Sequence, residues 1–252
     1  MLRSFEYAVE VWGWDEAFLG ACHDDPEQLA RAVRTAVHDR TGLTCAVGIG
    51  DTKERAKMAT RFAKTAAERI YRLDSSNWIS IMGDRDVVEL WGIGKRTAVR
   101  LAAHDLRTVT DLALADRDDL AAWLGPAIGP RLRVLARGGS ARAITTEPSL
   151  ARSKSRQVTF ASDLTDPDEI GQEVAAMARE LCEEIKADGR QVTHVGVTVR
   201  TRSFFTQVKT SKLPEVTTDP MIIEAGARAV LARFEINRAV RLLGVRLDLA
   251  PI

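Results

Sequence analysis

Asp15 and Glu16 stand side by side in VEVWGWDEAFLG (residues 9–20), an otherwise apolar and aromatic stretch. An Asp-Glu pair is usually a charged turn, but the flanking Trp14, Ala17 and Phe18 argue against a merely solvated one. Carboxylates at a strand edge can reach hard cations such as Mg²⁺, which prefer oxygen ligands. In phosphoryl transfer two such ions activate the attacking oxygen and steady the leaving one.

A second candidate lies in VVELWGIGKRTAVRL (87–101), which has the helix-hairpin-helix form. Gly92 and Gly94 permit a sharp turn and expose amide N–H groups at the start of the second helix, and Lys95 and Arg96 add positive charge. Such contacts hold the nucleic-acid backbone without reading bases. A plain tight turn between helices is the alternative. The spacing is not GxxxxGK[ST], which argues against a Walker-type nucleotide loop. A nucleotide switch built on GIGDTK (48–53) is a third and weaker class.

The third candidate is a basic sheet face. In HVGVTVRTR (194–202), Val195, Val197 and Val199 alternate with Thr198, Arg200 and Arg202. An earlier strand sets Ser155, Gln157 and Thr159 against Val158 and Phe160. In the final strand Arg246 opposes Val245 and Leu247, whereas Arg241 falls on the apolar register. With Lys154, Arg156 and Lys209 these cations form a candidate cradle for a polyanion, the alternative being a solvated face. The net charge of +1 conceals this pattern, because nine acids between 163 and 188 balance the basic segments on either side.

The elements that must position these groups can be read coarsely. A strand over 5–12, the Asp-Glu pair and a short second strand precede a helix from Pro26 to about Arg40. LTCAVGIG (43–50) reads as a buried strand, and Asp51 with Glu54 as a capping box opening a helix to about Ala67. Residues 75–144 show short helices broken by Gly and Pro, and 138–155 reads as a loop or linker. Strand (155–161), helix (167–187), strands (191–202, 204–212), helix (219–235) and strand (239–249) then give an antiparallel sheet with two helices on one face. The fold class is therefore α+β and multidomain.

At 252 residues, with 45% hydrophobic and 28% charged residues, the chain is long enough for about two domains and a sizeable core. Three widely spaced cysteines and four scattered histidines form neither a disulfide framework nor a zinc site, and a reducing, cytoplasmic setting is expected. No apolar run approaches the roughly 20 residues of a membrane span, and no signal peptide is expected.

VEVWGWDEAFLG, CAVGIGDTKERAKMATRFAK (45–64), LWGIGKRTAVRL (90–101) and VRLLGVRLDL (240–249) resemble, in order and spacing, the Y-family DNA polymerases, in particular the bacterial DNA polymerase IV branch. The resemblance implies a partial α/β palm over 1–74, an all-α thumb over 75–146, a linker over 147–152 and a little finger over 153–252 with a four-stranded antiparallel sheet. It further implies translesion nucleotidyl transfer with two Mg²⁺ ions, deoxynucleoside triphosphates and primer-template DNA. On it Asp15 and Glu16 are the metal and catalytic carboxylates and Lys57 contacts the triphosphate. Gly92 and Gly94 form the phosphate-binding hairpin, and Arg200, Arg202, Arg241 and Arg246 lie along the template. A sliding clamp bound through an internal site, and a monomeric chain, complete the implied set.

The sequence departs from the family at several positions and in one larger respect. Gly13 stands where Ser is usual, Thr52 where Asn is usual, and Ala63 to Ala67 lack the family's Pro and Gly. The family also opens with a strand carrying another metal-binding Asp, in a DxDxFF-type motif, followed by fingers. This sequence begins after both, so an N-terminally truncated chain is expected, which binds primer-template DNA but extends it poorly. A non-catalytic primer-template binding protein is the alternative.

Overall fold

A 3₁₀ turn (Leu2–Phe5) precedes strand β1 (Ala8–Val11), which pairs antiparallel with β2 (Ala17–Gly20) in a computed structural model describing residues 1–140, 142–147 and 150–251. The strand expected over 5–12 is shorter because Glu6 adopts left-handed backbone (φ 59°). Helix α1 (Pro26–Thr41) starts at Asp25, whose carboxylate accepts the Gln28 N–H at 2.8 Å, and stops at Gly42.

Strand β3 (Val47–Ile49), helix α2 (Lys53–Ala63) and strand β4 (Ile70–Arg72) form a parallel crossover unit, and the three-residue β4 was not anticipated. The cap of α2 is Thr52, not Asp51: its hydroxyl accepts the Arg55 N–H, while Asp51 pairs with the Arg55 guanidinium at 2.7 Å. Helix and strand are in intimate contact, since a Cβ at Gly48 would sit 2.2 Å from the Ala56 carbonyl oxygen.

A 3₁₀ turn (Val87–Glu89) and five short helices follow: α3 (Trp78–Met82), α4 (Lys95–Ala102), α5 (Val109–Leu114), α6 (Arg117–Leu124) and α7 (Ile128–Ala136). They share a core with one face of α2 that includes Met58, Trp78, Leu90, Leu101, Leu112 and Leu120. Of the loop expected over 138–155, Ala141, Pro148 and Ser149 lie outside the described residues. Its earlier part is tied down rather than loose: Arg142 reaches the buried Glu54 at 2.6 Å, and the Thr145 N–H donates to Glu10 at 2.7 Å.

The chain divides into two units, Met1–Pro148 and Ser149–Ile252. The second comprises β5 (Ser153–Leu164), α8 (Pro167–Ala187), β6 (Val192–Thr201), β7 (Thr206–Thr217), α9 (Pro220–Leu231) and β8 (Val240–Leu249). Its antiparallel sheet has the order β5-β8-β6-β7, so the last strand lies in the middle. Val195, Val197 and Val199 with Leu243, Val245 and Leu247 pack under Val174, Ala178 and Leu181 of α8 and Ile223, Ala227 and Val230 of α9. This alternation leaves the opposite sheet face without a helix cover.

Candidate active site and nucleic-acid interface

The β1–β2 loop is closed by its own backbone: the Glu16 carbonyl accepts the N–H groups of Trp12 (2.9 Å) and Gly13 (3.2 Å). This leaves Asp15 and Glu16 exposed beside the fully exposed Trp14. A Cβ at Gly13 would meet nothing within 4 Å, so packing does not force the departure from Ser there.

Helix α2 faces this hairpin with two lysines one turn apart. Lys57 pairs with Glu16, and Lys53 pairs with Glu10. Spacing of i, i+4 puts both ammonium groups on one helix face, and the cross-strand register sets Glu10 opposite Phe18 on the same hairpin face. The Lys53–Glu10 pair is nearly enclosed, with side chains 11% and 12% exposed. Burial alone would push the Glu10 carboxyl up. The Lys53 hydrogen bond, the Thr145 N–H and the charges of Lys53 and Arg142 outweigh it and hold the group below its usual value. Sequence reasoning did not find this second pair, although the Lys53/Lys57 spacing was a usable signal.

No cluster of three or more His, Cys, Asp or Glu side chains placed to hold a metal occurs among the described residues. Asp15 and Glu16 have the right oxygen chemistry for a hard cation, but two ions need more anionic ligands than this pair supplies. These residues alone do not fit a two-metal site.

In the Gly-hydrophobic-Gly turn, Gly92 has φ +95° and Gly94 caps α4 with extended backbone. Ile93 between them is buried, pinning the turn to the core, while Lys95 and Arg96 are exposed in the first turn of α4. The amides of that turn precede the first helical acceptors and face outward. The leading element is a single 3₁₀ turn rather than the expected α-helix.

In the second unit the basic residues fall into two sets. Thr198, Arg200 and Arg246 occupy the uncovered face, with Arg200 bonded to the Thr206 hydroxyl (2.8 Å) and Arg246 to Asp248 (2.7 Å). The same register adds Lys212, and also His194 and Thr210, the last two not anticipated. Lys154, Arg156 and Lys209 correct the expectation, because strand parity turns them to the helix side. Lys154 meets Asp188 at 2.6 Å, and Arg156 meets Glu180 and Glu184, each at 2.8 Å. Lys209 lies over the Phe234 ring and donates to the Arg233 carbonyl. Arg202 sits beyond the end of β6, 3.8 Å from Asp163, and Arg241 is 3.9 Å from the same carboxylate.

The impB/mucB/samB family matches residues 1–61, and its C-terminal domain matches residues 151–249. DNA polymerase IV 2 of Mycobacterium tuberculosis H37Rv is 46% identical over 253 residues, covering 99% of this chain and 72% of that protein. The chain belongs to the Y-family DNA polymerases. Its relatives in the DNA polymerase IV group include that of Methanoculleus marisnigri, 35% identical over 88% of this chain and 60% of the relative. A Y-family DNA polymerase chimera of Dbh and Dpo4 has the same fold, with a TM-score of 0.73 and 20% identity over 97% of this chain and 72% of the chimera. Enzymes of this family use metal ions and copy DNA by nucleotidyl transfer.

Proposed function

We propose that the chain acts on primer-template DNA in translesion synthesis, with residues 1–74 as part of the palm, 75–146 as the thumb, 147–152 as a linker and 153–252 as the little finger. The observation that carries this reading is the β1–β2 loop, which exposes Asp15 and pairs the adjacent Glu16 with Lys57 of α2. In it Asp15 and Glu16 would supply two carboxylates toward a metal site that this pair does not complete by itself. Lys57 binds the incoming triphosphate, for which its pairing with Glu16 holds the ammonium group beside the loop.

The Gly92–Gly94 turn with Lys95 and Arg96 grips the DNA backbone, as do Thr198, Arg200 and Arg246 on the sheet and Arg202 and Arg241 at its end. Deoxynucleoside triphosphates and a sliding clamp are the further partners this reading implies.

Because the carboxylate set is incomplete, the purified chain is expected to bind primer-template DNA and to extend it weakly in Mg²⁺. Whatever extension occurs should vanish in Asp15→Ala. Extension that survives Asp15→Ala would overturn the role of the pair. Failure to bind primer-template DNA at low salt would overturn the DNA reading itself.

A further inference from the structure

The turn joining β6 to β7 exposes two adjacent aromatic rings, Phe204 (67%) and Phe205 (60%). It is a built turn: the Phe204 N–H donates to the Thr201 carbonyl at 2.9 Å, and the Thr201 N–H donates to the Phe205 carbonyl at 3.0 Å. Phe204 takes a left-handed backbone (φ 61°), unusual for a bulky side chain. The Arg241 guanidinium lies 5.1 Å from its ring centroid, so one ring is already held. Phe205 has no such partner among the described residues.

Four arginines surround this tip. Arg200 bonds to Thr206, Arg238 reaches the Ser203 hydroxyl at 3.3 Å, and the Arg202 N–H donates to the Ala239 carbonyl at 2.9 Å, beside Arg241. Their ion pairs among the described residues go to one carboxylate, Asp163, at 3.8 Å from Arg202 and 3.9 Å from Arg241. An exposed apolar ring amid excess positive charge suits a polyanion that carries flat π faces. A duplex hides those faces in its stack; a single strand presents them.

We propose that Phe205 is a stacking platform for an unpaired base of single-stranded DNA next to the duplex, with Phe204 and Arg241 setting the turn and Arg202 and Arg238 holding the flanking phosphates. The proposal rests on the DNA-binding reading above and adds a site for the unpaired template. Since phenylalanine offers no hydrogen bonds, the site tolerates any base.

The test compares two fluorescein-labelled DNAs by anisotropy with the full chain: a blunt duplex, and the same duplex with a short 5′ template overhang. The wild-type chain should prefer the overhang DNA. Phe205→Ala should weaken overhang binding at least about fivefold, the lower end of what loss of one stacked base costs, and change blunt-duplex binding less than about twofold. Phe205→Trp should keep the preference, and an abasic overhang should bind the wild type as weakly as the normal overhang binds Phe205→Ala. Equal losses on both DNAs, or unaltered binding of both, would overturn the stacking site, the latter result pointing to a protein-docking tip. Tight blunt binding without overhang preference overturns the inference alone. Absence of binding to either DNA overturns the DNA reading with it.

Discussion

Replacing Lys53 by Met should destabilise the first unit by about 3 kcal/mol at neutral pH, and that cost should shrink as the pH falls. Lys53 and Glu10 are 11% and 12% exposed, so removing the ammonium strands a nearly buried carboxylate, and breaking such a pair costs roughly 3–5 kcal/mol. The Thr145 N–H, 2.7 Å from Glu10, survives the substitution and keeps the loss near the lower bound.

Protonation sets a ceiling on the penalty of the stranded charge. Neutralising a carboxyl with an ordinary value of 4.5 at pH 7 costs about 1.36 × 2.5, or roughly 3.4 kcal/mol, and at pH 5 only about 0.7 kcal/mol. In the wild type the folded Glu10 value lies below the unfolded one, so its contribution is present above about pH 4.5 and is lost as pH falls through the folded value. In Lys53→Met the shift reverses: the folded value rises above the unfolded one, and the variant regains stability as the pH drops from 7 to 5. All five tryptophans (Trp12, Trp14, Trp78, Trp91 and Trp123) belong to the first unit, so urea unfolding followed by tryptophan fluorescence reports that unit selectively. A cost under about 0.5 kcal/mol, or one that is the same at pH 7 and pH 5, would refute an enclosed pair.

Other consequences are local. Gly48→Ala should cost about 3 kcal/mol by the same fluorescence assay, because its Cβ would lie 2.2 Å from the Ala56 carbonyl oxygen and 2.4 Å from the Thr60 nitrogen, both backbone atoms. Asp74 is held at about 2, first by the Ser76 hydroxyl and also by Arg72; its stabilisation is complete above its unfolded value of 3.8 and lost as pH falls towards 2, and Asp74→Asn should flatten the acid limb of an unfolding curve by about 1–2 kcal/mol. Lys154→Ala and Lys209→Ala should leave the salt dependence of DNA binding unchanged, since both side chains lie on the helix side of the sheet; a shallower slope in either, measured by anisotropy across a salt series, would put them back among the phosphate contacts.

The second unit was largely legible because period-two alternation and amphipathic helices survive in the sequence. The first was less so. Strand β4 has three residues, Ile70–Arg72, too few for a pattern to register. The cap of α2 was displaced by one residue because Asp51 and Thr52 are both good caps, and only the structure shows Asp51 engaged by Arg55 and the Ser75 N–H. Asp15, Glu16 and Lys57 could be picked out from motifs, whereas the neighbouring ion pair could not: Glu10 and Lys53 lie 43 residues apart and meet only through the packing of α2. The segment from Gly138 to Thr145 looked like linker from its Gly, Ser and Thr content. It is anchored by residues distant in sequence, with Arg142 on Glu54 and the Gly138 carbonyl on the Thr52 hydroxyl.

The same parity argument also decides which cations matter. Counting basic residues between 189 and 214 overstates the charge a polyanion would meet, because alternate residues on a strand face opposite ways. Lys154 and Arg156 are neutralised by Glu180, Glu184 and Asp188 of α8, which explains how an acidic helix and a basic strand coexist in one unit of a nearly neutral chain. On the uncovered face Arg246 already has Asp248 at 2.7 Å, whereas Arg200 is positioned by the neutral hydroxyl of Thr206 and keeps its full charge. Between them Gly196 and Gly244 form part of the floor of this face, and neighbouring side chains fill the space over them: a Cβ at Gly244 would come within 2.6 Å of the Gln157 side chain, and one at Gly196 within 3.1 Å of the Thr210 hydroxyl. Val208, opposite Thr198 on this face, is an exposed apolar side chain that an approaching strand would meet. Arg200→Ala should reduce the salt slope by close to the 0.9 or so of one full phosphate contact. Arg246→Ala should reduce it by less, because Asp248 already neutralises much of the Arg246 charge before any phosphate arrives. A larger loss of slope for Arg246→Ala would mean that the Asp248 pair opens on binding, and that the floor is reshaped by DNA rather than built for it.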